Sequence, residues 1–253
     1  MSLFNLLYSI GLKFKKSSQH LIYGRQIIVD WTEQMICSST DQKSAVNILD
    51  VGCGKAEELS YIKGKHGSRV NLYALENYEP YRIECVKKGI TPSDINIEND
   101  PFPFKDGFFD VIIMNQVIEH CKELFFIFSE VSRTLRKGGC LIVGVPNLAA
   151  WHDRFALLLG EQPTSIKVLG PHIRGFTKPG FQSFIQTDGY FLLKETKGSG
   201  FYPFPVFAAK LLARLFPTLA SGIFFRAERT GKEGLFIDVL KSRYFETNFF
   251  SGS

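Results

Sequence analysis

The sequence predicts an α/β protein whose mostly parallel sheet is covered by helices on both faces. Three observations favour this class. From residue 46 onward, short apolar runs rich in β-branched residues alternate with stretches of helical length and spacing. The first of these runs ends in a Gly-x-Gly turn at residues 52–54. The chain of 253 residues, 45% of them hydrophobic and 22% charged, is long enough to bury one sizeable core.

The predicted elements follow one another in regular alternation. Residues 3–36 have helical composition, with a break near Ser17 and Ser18. Strands are expected at 46–51, 69–76, 95–98, 108–115 and 140–147, and helices at 56–65, 80–90 and 122–139. Further along, helices are expected at 148–160 and 177–190, an irregular insertion at 161–176, and a final strand pair at 191–198 and 223–229. Thr177 is the expected cap of its helix.

Charge and cysteine content exclude several classes of protein. A net charge of +5 is too small to indicate a nucleic-acid partner, and the one short basic cluster, at residues 13–16, is typical of a solvated helix face. The five cysteines include no Cys-x-x-Cys pair, so we expect neither a disulfide framework nor a thiolate zinc site, and a reducing, cytoplasmic location. The N-terminus is apolar first and basic second, unlike a signal peptide. No apolar run reaches the roughly 18 residues of a membrane-spanning helix.

The loop after the first strand lies in ILDVGCGKAEEL, residues 48–59. Ligands of open α/β sheets bind at the carboxyl ends of strands, and Gly52 and Gly54 permit a tight turn and a close approach. Glu57 and Glu58 would repel the pyrophosphate of a dinucleotide at this helix start. S-adenosylmethionine has no phosphate and carries two cationic groups, so the acids favour it. The alternative is that both acids complement the helix dipole.

Two further residues complete this interpretation. Glu76 ends the second strand, where a carboxylate can accept both hydroxyls of a ribose. The alternative is an exposed acid at a strand end. Ala56 stands where a third glycine is frequent, and its good helix propensity predicts a helix-start residue that leaves the pocket open.

Four stretches together resemble the class I S-adenosylmethionine-dependent methyltransferases, and among them the type 11/23 group. They are ILDVGCGKAEEL, YALE, INIENDPFPFKDGFFDVIIMNQVIEH and VSRTLRKGGCLIVGVPN, which cover roughly residues 46–147 in order. The resemblance implies a Rossmann-like seven-stranded sheet, mostly parallel with an antiparallel last strand, and an enzyme that uses S-adenosyl-L-methionine. It implies one methyltransferase domain with a helical segment at 1–45, a cofactor-binding core at 46–147, an acceptor-side insertion and last strands at 148–230, and a tail at 231–253.

The resemblance also assigns the cofactor pocket residue by residue. The glycine loop holds the methionine moiety, the end of the second strand holds the ribose, the segment before PFPF flanks adenine, and the end of the fourth strand borders the sulfonium. The matching residues are Asp50, Gly52, Cys53 and Gly54, then Glu76 and Asn77, then Asn96, Ile97 and Glu98, and finally Asn115 and Gln116. Asn96 departs from the family pattern, which often has Asp there.

Methyl transfer depends mainly on alignment, and a hydroxyl acceptor benefits from a general base. His172, in GPHIRGFT, is the first candidate for a base or acceptor-binding residue, and Arg174 is a candidate ligand for an anion or sugar. A surface loop with structural hydrogen bonds is the alternative. His120 is a second candidate base, unless Glu119 and His120 are a local pair that caps the next helix. Further acceptor-side candidates, of lower rank, are Asn147, His152 and Arg154. No acidic cluster has the spacing of metal ligands, so no metal site is expected.

The class of methyl acceptor is inferred from the family resemblance alone. It is expected to be a small molecule or glycan methylated on oxygen, such as a sugar of a surface polysaccharide or its lipid-linked precursor, with N- or C-methylation of another metabolite as the alternative. A nicotinamide-dependent oxidoreductase and a non-catalytic scaffold are rivals from other classes. The apolar segment 201–225, with Lys210 and Arg214 one helical turn apart, predicts a packing or lid helix in preference to an interfacial helix that contacts a membrane. Its Phe-rich surface is also a candidate interface between two copies of the chain in a homodimer.

Overall fold

A computed structural model of the protein describes residues 24–38 and 45–242. The first 23 residues of the predicted N-terminal helical segment therefore lie outside the described residues. The same holds for the predicted break near Ser17 and Ser18, for the basic cluster at 13–16, and for residues 243–253 of the tail. Helix α1 (Arg25–Ser38) is the part of that segment that is described. Among the helices of the described ranges, none combines the length and apolar character needed to cross a membrane.

Within the described ranges, seven strands form one sheet. They are β1 (Val46–Val51), β2 (Val70–Leu75), β3 (Thr91–Ser93), β4 (Phe109–Asn115), β5 (Leu135–Pro146), β6 (Phe191–Ser199) and β7 (Gly222–Arg229). Their order across the sheet is β3-β2-β1-β4-β5-β7-β6. The strands from β3 to β5 pair in parallel, and β7 runs antiparallel to both of its neighbours. The predicted fold, a mostly parallel sheet with an antiparallel last strand, is confirmed.

Helices cover both faces of this sheet. After α1 they are α2 (Glu57–His66), α3 (Glu79–Lys87), α4 (Leu124–Thr134), α5 (Trp151–Leu158), α6 (Lys178–Ile185) and α7 (Val206–Leu215). Successive strand residues point to opposite faces, so Ile48 packs in the core formed with α1 and α2, while Leu49 packs in the core formed with α4 and α6. Burial on both faces explains why the sequences of β1 and β4 are nearly continuous runs of apolar residues. Thr177 caps α6 as predicted, by accepting the Gly180 N–H.

Two predicted elements have different limits in the structure. Residues 95–98 do not form a strand, because Asn96 Oδ1 accepts the Glu98 N–H (3.1 Å) and Asp100 Oδ2 accepts the Asn96 N–H (2.8 Å), and the chain turns at 97–99. The third strand of the chain is β3, a few residues earlier. The helix predicted to reach residue 139 ends at Thr134, because Leu135 pairs with Phe109 and begins β5.

Helix α7 has two apolar sides with different environments. Ala209 and Ala213 are buried in a small cluster with Phe201 and Ala220, which agrees with the preferred prediction of a packing helix. The opposite side leaves Phe207 80% and Leu211 59% exposed, next to exposed Lys210. Membrane contact and a homodimer through this surface stay predictions.

Arg133 joins α4 to the loop that precedes β4. Its Nε donates to Glu130 Oε1 (2.9 Å), and its Nη1 donates to the carbonyl of Phe104 (2.7 Å) and to Asp106 Oδ1 (2.9 Å). Glu130, which is buried, also accepts the Phe102 N–H through Oε2 (2.7 Å). One ion pair therefore anchors the segment that follows the predicted adenine residues.

We expect Arg133→Met to lower the free energy of unfolding by about 2–3 kcal/mol, because Glu130 and two backbone carbonyls lose charged donors while the apolar stem is kept. Urea unfolding followed by circular dichroism measures the change. The matched control is Lys137→Met, because Lys137 pairs with Glu233 at the surface and its loss should cost less than about 1 kcal/mol. Equal losses in the two variants would contradict the anchoring role.

Candidate functional site

The glycine loop after β1 needs glycine for two different reasons. Gly52 has φ of 69°, and a Cβ at this position would lie 2.6 Å from Val117 Cγ2. Gly54 has φ of 55°, and a Cβ there would meet only Tyr81, at an ordinary contact distance of 4.0 Å, so the backbone conformation alone favours glycine. The N–H of Gly52 donates to the carbonyl of Leu75 (2.7 Å), which holds the loop against the end of β2.

Ala56 differs from its predicted role. It is not a helical residue but the cap that precedes α2, and its φ of 50° and ψ of 46° place it in the left-handed region. Helix propensity is therefore irrelevant at this position, and the conformation explains why a glycine is frequent there. Ala56 is fully buried and lines neither of the cavities described below, so its methyl group leaves the pocket open, as predicted.

Two cavities open at the carboxyl ends of β1, β2 and β4, and they share Gly52 and Gln116. The first has a volume of about 390 Å³ and the second about 320 Å³. The eleven predicted cofactor residues all line one cavity or the other. In the first are Asp50, Gly52, Cys53, Gly54, Asn115 and Gln116, and in the second are Glu76, Asn77, Asn96, Ile97 and Glu98. The structure thus assembles the predicted pocket as one two-part cleft.

Glu76 links the two parts of the cleft. Its Oε2 accepts the Gly54 N–H (2.9 Å) and its Oε1 accepts the Tyr78 N–H (3.0 Å). Each carboxylate oxygen has a second lone pair, so both remain able to accept a hydroxyl from a ligand. Glu76 is 9% exposed, which excludes the alternative of an exposed acid at a strand end.

Three acids, Asp50, Glu57 and Glu58, and two bases, Arg25 and Lys55, line the first cavity. Burial, together with the nearby charges of Glu58 and Glu76, raises the pKa of the Asp50 carboxyl well above its ordinary value. Glu57 and Glu58 stand in the first turn of α2, where they complement its dipole. Both also pair with Arg25 of α1, whose Nε lies 3.0 Å from Glu58 Oε1.

Arg25 is the main residue of this cavity that sequence reasoning missed, and Tyr81 of α3 is another. Each lies on a helix that reaches the cleft only through tertiary packing. No local pattern around either residue distinguishes it from an ordinary surface side chain.

Gln116 stands at the border between the two cavities in an unusual conformation. Its φ of 57° is rare outside glycine, and its backbone N–H donates to the carbonyl of Gly144 (2.8 Å). Its side-chain Nε2 is buried and makes no hydrogen bond within the described residues. A strained backbone together with an unused donor is typical of a position that serves a ligand.

The two predicted catalytic histidines lie together. The rings of His120 and His172 are 4.8 Å apart between centroids, and His120 lines the second cavity. Glu119 is beside them, with Oε1 3.9 Å from His120 Nε2. It is 1% exposed, and burial raises the pKa of its carboxyl to about 7. The sequence suggested a local Glu119–His120 pair but not its meeting with His172.

Backbone hydrogen bonds hold this group in place. The Glu119 carbonyl accepts the N–H groups of Ile173 (2.9 Å) and Arg174 (3.2 Å). The Arg174 side chain donates from Nε to the Cys121 carbonyl (3.0 Å) and from Nη2 to the carbonyl of Lys122. Arg174 therefore fastens the insertion to the segment after β4, and its binding of an anion or sugar stays a prediction.

The other acceptor-side candidates lie outside the cleft. Asn147 is fully buried, and its Nδ2 donates to the carbonyls of Thr218 (2.9 Å) and Ala220 (2.8 Å). Its Oδ1 accepts the N–H of Ala149 (3.0 Å), so the side chain serves the backbone and not a substrate, which corrects the prediction. Arg154 is exposed, donates to the Ala149 carbonyl (2.8 Å) and lines neither cavity.

His152, also a low-ranking candidate, is engaged within the insertion. Its Nε2 lies 3.2 Å from Thr164 Oγ1 and 3.6 Å from Asp153 Oδ1. Burial lowers the pKa of this imidazole.

Comparison with known proteins agrees with the fold. The family described as "Methionine biosynthesis protein MetW" matches residues 34–173, which is 140 of the 253 residues. A sterol 24-C-methyltransferase of Gibberella zeae is 28% identical over 114 residues, which cover 42% of this chain and 29% of that protein. The chain thus matches less than a third of the length of the sterol methyltransferases that it resembles.

Two further proteins match over more of their length. A ubiquinone biosynthesis O-methyltransferase of Pelagibacter ubique is 25% identical over 168 residues, covering 66% of this chain and 70% of that protein. The crystal structure of an S-adenosylmethionine-dependent methyltransferase from Aquifex aeolicus superposes with a TM-score of 0.52 at 15% identity, covering 87% of this chain and 98% of the other. The predicted class I methyltransferase fold is confirmed, and the chain belongs to the family described as "Methionine biosynthesis protein MetW".

Proposed function

We propose that this protein is an S-adenosylmethionine-dependent methyltransferase that methylates a hydroxyl oxygen of a small-molecule or glycan acceptor. The observation that carries the proposal is the two-part cleft, in which every predicted cofactor residue lines one of two joined cavities. S-adenosylmethionine, when bound, supplies a methyl group already activated by the positive charge on sulfur. The protein then has to hold, align and shield the reacting groups.

The charges of the cleft suit this cofactor in both parts. Asp50 and Glu58 give the first cavity the negative charge that an ammonium and a sulfonium favour. Arg25 at the rim offers a partner for a carboxylate. Glu76 in the second cavity faces the position expected for a ribose.

The same charges disfavour the rival cofactor. A nicotinamide dinucleotide would place its pyrophosphate at the start of α2, where Glu57 and Glu58 stand. The acidic groups therefore favour methyl transfer over hydride transfer.

Oxygen is the acceptor atom that we favour for two reasons. The relative matched over 70% of its length is an O-methyltransferase by name, whereas the matched sterol C-methyltransferases are covered over less than a third. In addition, His120 and His172 converge beside the cleft, and a hydroxyl acceptor has to lose a proton during the reaction. We infer that the acceptor enters on this side and that this group of residues manages its proton. A sugar hydroxyl of a polysaccharide or its lipid-linked precursor remains the preferred acceptor.

Calorimetry with S-adenosylhomocysteine tests the cofactor. We expect wild-type protein to bind it, and Glu76→Ala to weaken binding by about 1–3 kcal/mol through the loss of a charged hydrogen-bond acceptor. Glu76→Gln keeps the size of the side chain and checks that the loop is intact. The control is Glu79→Ala, an exposed acid nearby that lines neither cavity, with an expected change within about 0.5 kcal/mol. Absence of binding to wild-type protein would refute the assignment.

The raised pKa of Asp50 predicts a pH dependence of cofactor affinity. A bound ammonium favours the ionised carboxylate, so the proton that Asp50 holds at low pH must leave on binding. Affinity for S-adenosylhomocysteine should therefore fall as the pH is lowered from about 8 to about 5, by at most about tenfold per pH unit for one proton. Calorimetry across this range measures it. Asp50→Asn should bind more weakly at high pH and show a flatter profile, and a profile as steep as that of wild type would count against Asp50.

His172→Ala tests the acceptor side separately. We expect unchanged binding of S-adenosylhomocysteine and a methyl-transfer rate lower by about 10²-fold, the usual scale for loss of a group that handles a proton. The assay follows label from methyl-labelled S-adenosylmethionine into hydroxyl-bearing metabolite and glycan fractions. His66→Ala, which removes the same ring from the end of α2, should leave the rate unchanged. If the two variants react equally fast, His172 does not act at the acceptor.

A further inference from the structure

Three side chains on the acceptor side converge in a way that the methyl-transfer chemistry alone does not require. Each of Glu119, His120 and His172 directs one carboxylate oxygen or ring nitrogen to a common point, and these atoms lie within 4.8 Å of one another. Within the described part of the chain, no other three carboxylate, imidazole or thiol groups meet in this way. The sequence analysis sought metal ligands only among closely spaced acids, whereas these three come from two distant segments.

The first argument concerns the Glu119 carboxylate. It is 1% exposed, and neither of its oxygens accepts a hydrogen bond within the described residues. A buried carboxylate without a partner is costly, so such groups in proteins hold a proton, are paired or coordinate a cation. His120 Nε2 lies 3.9 Å from Glu119 Oε1, which is too long for a hydrogen bond.

The second argument concerns the tautomers of the two rings. His120 Nδ1 lies 3.1 Å from the Pro171 carbonyl, and His172 Nδ1 lies 2.7 Å from the Ser165 carbonyl. A carbonyl oxygen only accepts, so Nδ1 of each ring carries the hydrogen. In the neutral rings each Nε2 then presents a lone pair. Histidines that bind metal usually have this arrangement, with the other ring nitrogen donating to a backbone carbonyl.

The third argument concerns the support around these residues. Ser165, whose carbonyl orients His172, donates through Oγ to the buried Asp153 (2.7 Å). On the other side, Arg174 and the Glu119 carbonyl fasten the two segments together. The outer contacts that a metal site needs are therefore present.

We propose that Glu119, His120 and His172 bind one divalent transition-metal cation, such as Zn²⁺ or Mn²⁺, through a carboxylate oxygen and two Nε2 atoms. Two imidazoles and one carboxylate suit these ions better than Mg²⁺ or Ca²⁺, which prefer oxygen ligands. Metal–ligand bonds of about 2.0–2.2 Å require the three atoms to approach one another by about 1 Å, within the reach of small side-chain rotations. Three protein ligands leave at least one position open.

The open coordination position can bind the acceptor hydroxyl, an inference that rests on the proposed function. An acceptor hydroxyl bound there would release its proton to water more readily than a free hydroxyl. Its oxygen would then form the bond to the methyl carbon, while the electron pair of the broken carbon–sulfur bond stays on sulfur. The two rings would act through the cation and not as bases.

Metal-binding calorimetry on the full-length protein tests the site. The protein is freed of its purification tag, treated with EDTA and titrated with ZnCl₂, and separately with MnCl₂ and MgCl₂. We expect one equivalent of Zn²⁺ or Mn²⁺ to bind, with affinity at least about tenfold weaker in His120→Ala, His172→Ala and Glu119→Gln. The matched control is His66→Ala, because His66 Nε2 also faces a glutamate, Glu33, at 3.7 Å, but no second histidine of the described residues joins them.

Each outcome decides between defined possibilities. No binding of Zn²⁺ or Mn²⁺ by wild-type protein, or equal weakening by His66→Ala, overturns the metal site. If Glu119→Gln does not fold, as judged by circular dichroism, the two histidine variants decide, since both rings lie at least partly exposed. If the wild-type protein binds S-adenosylhomocysteine but neither Zn²⁺ nor Mn²⁺, only the metal site is refuted. If it binds one of these metals but not S-adenosylhomocysteine, only the proposed function is refuted.

Discussion

The parallel pairing of β1 with β4 is the constraint on which the rest of this structure depends. In its register Val51 lies beside Met114, so the loops after the two strands leave the sheet at the same level. Gly52 must then pass Val117 so closely that a Cβ has no room. Because the chain turns to opposite sides of the sheet beyond this pair, a gap opens between the two loops. That gap is the cleft that both cavities occupy.

Charge is as prominent a property of the cleft as its shape. Asp50 and Glu76 stand at the ends of neighbouring strands, and parallel topology brings their carboxylates to one edge of the sheet. Arg25 and Lys55 line the same cavity as Asp50, and Arg25 pairs with Glu57 and Glu58. The two strand-end acids are therefore charges that the strand pairing itself places in the cleft, whereas the other charged groups come from the loop and the surrounding helices.

Much of the fold could be predicted from sequence because its strands are buried on both faces and its helices are amphipathic. The residues predicted to hold the cofactor line one cleft for a related reason, since most of them stand at or shortly after the ends of neighbouring parallel strands. The errors come from choices made by distant contacts. Thr134 ends its helix because Leu135 pairs with β4, and residues 95–98 do not form a strand because Asn96 and Asp100 bond the local backbone.

The acceptor side was harder to predict for the same physical reason. Asn147 follows a strand just as Asn115 does, but its amide faces the backbone of residues 218–220 instead of the cleft. Arg25 reaches the cavity only because α1 packs across α2. The meeting of Glu119 with His172 depends on how the insertion folds back on the segment after β4. Local sequence contains no information on any of these three long-range arrangements.

The hydrogen bonds that fasten residues 171–174 to residues 119–122 divide the insertion into two parts. Residues 161–170 are held at one end by Asp153 and at the other by this fastening. Within this outer part only Ser165 is tied to the group beside the cleft, because its carbonyl bonds His172 Nδ1. Residues 171–174 are bonded directly to the segment after β4, which contributes Gln116 and Val117 to the second cavity. The insertion thus has an inner part that is fixed to the cleft wall and an outer part that is bonded to α5 through Asp153.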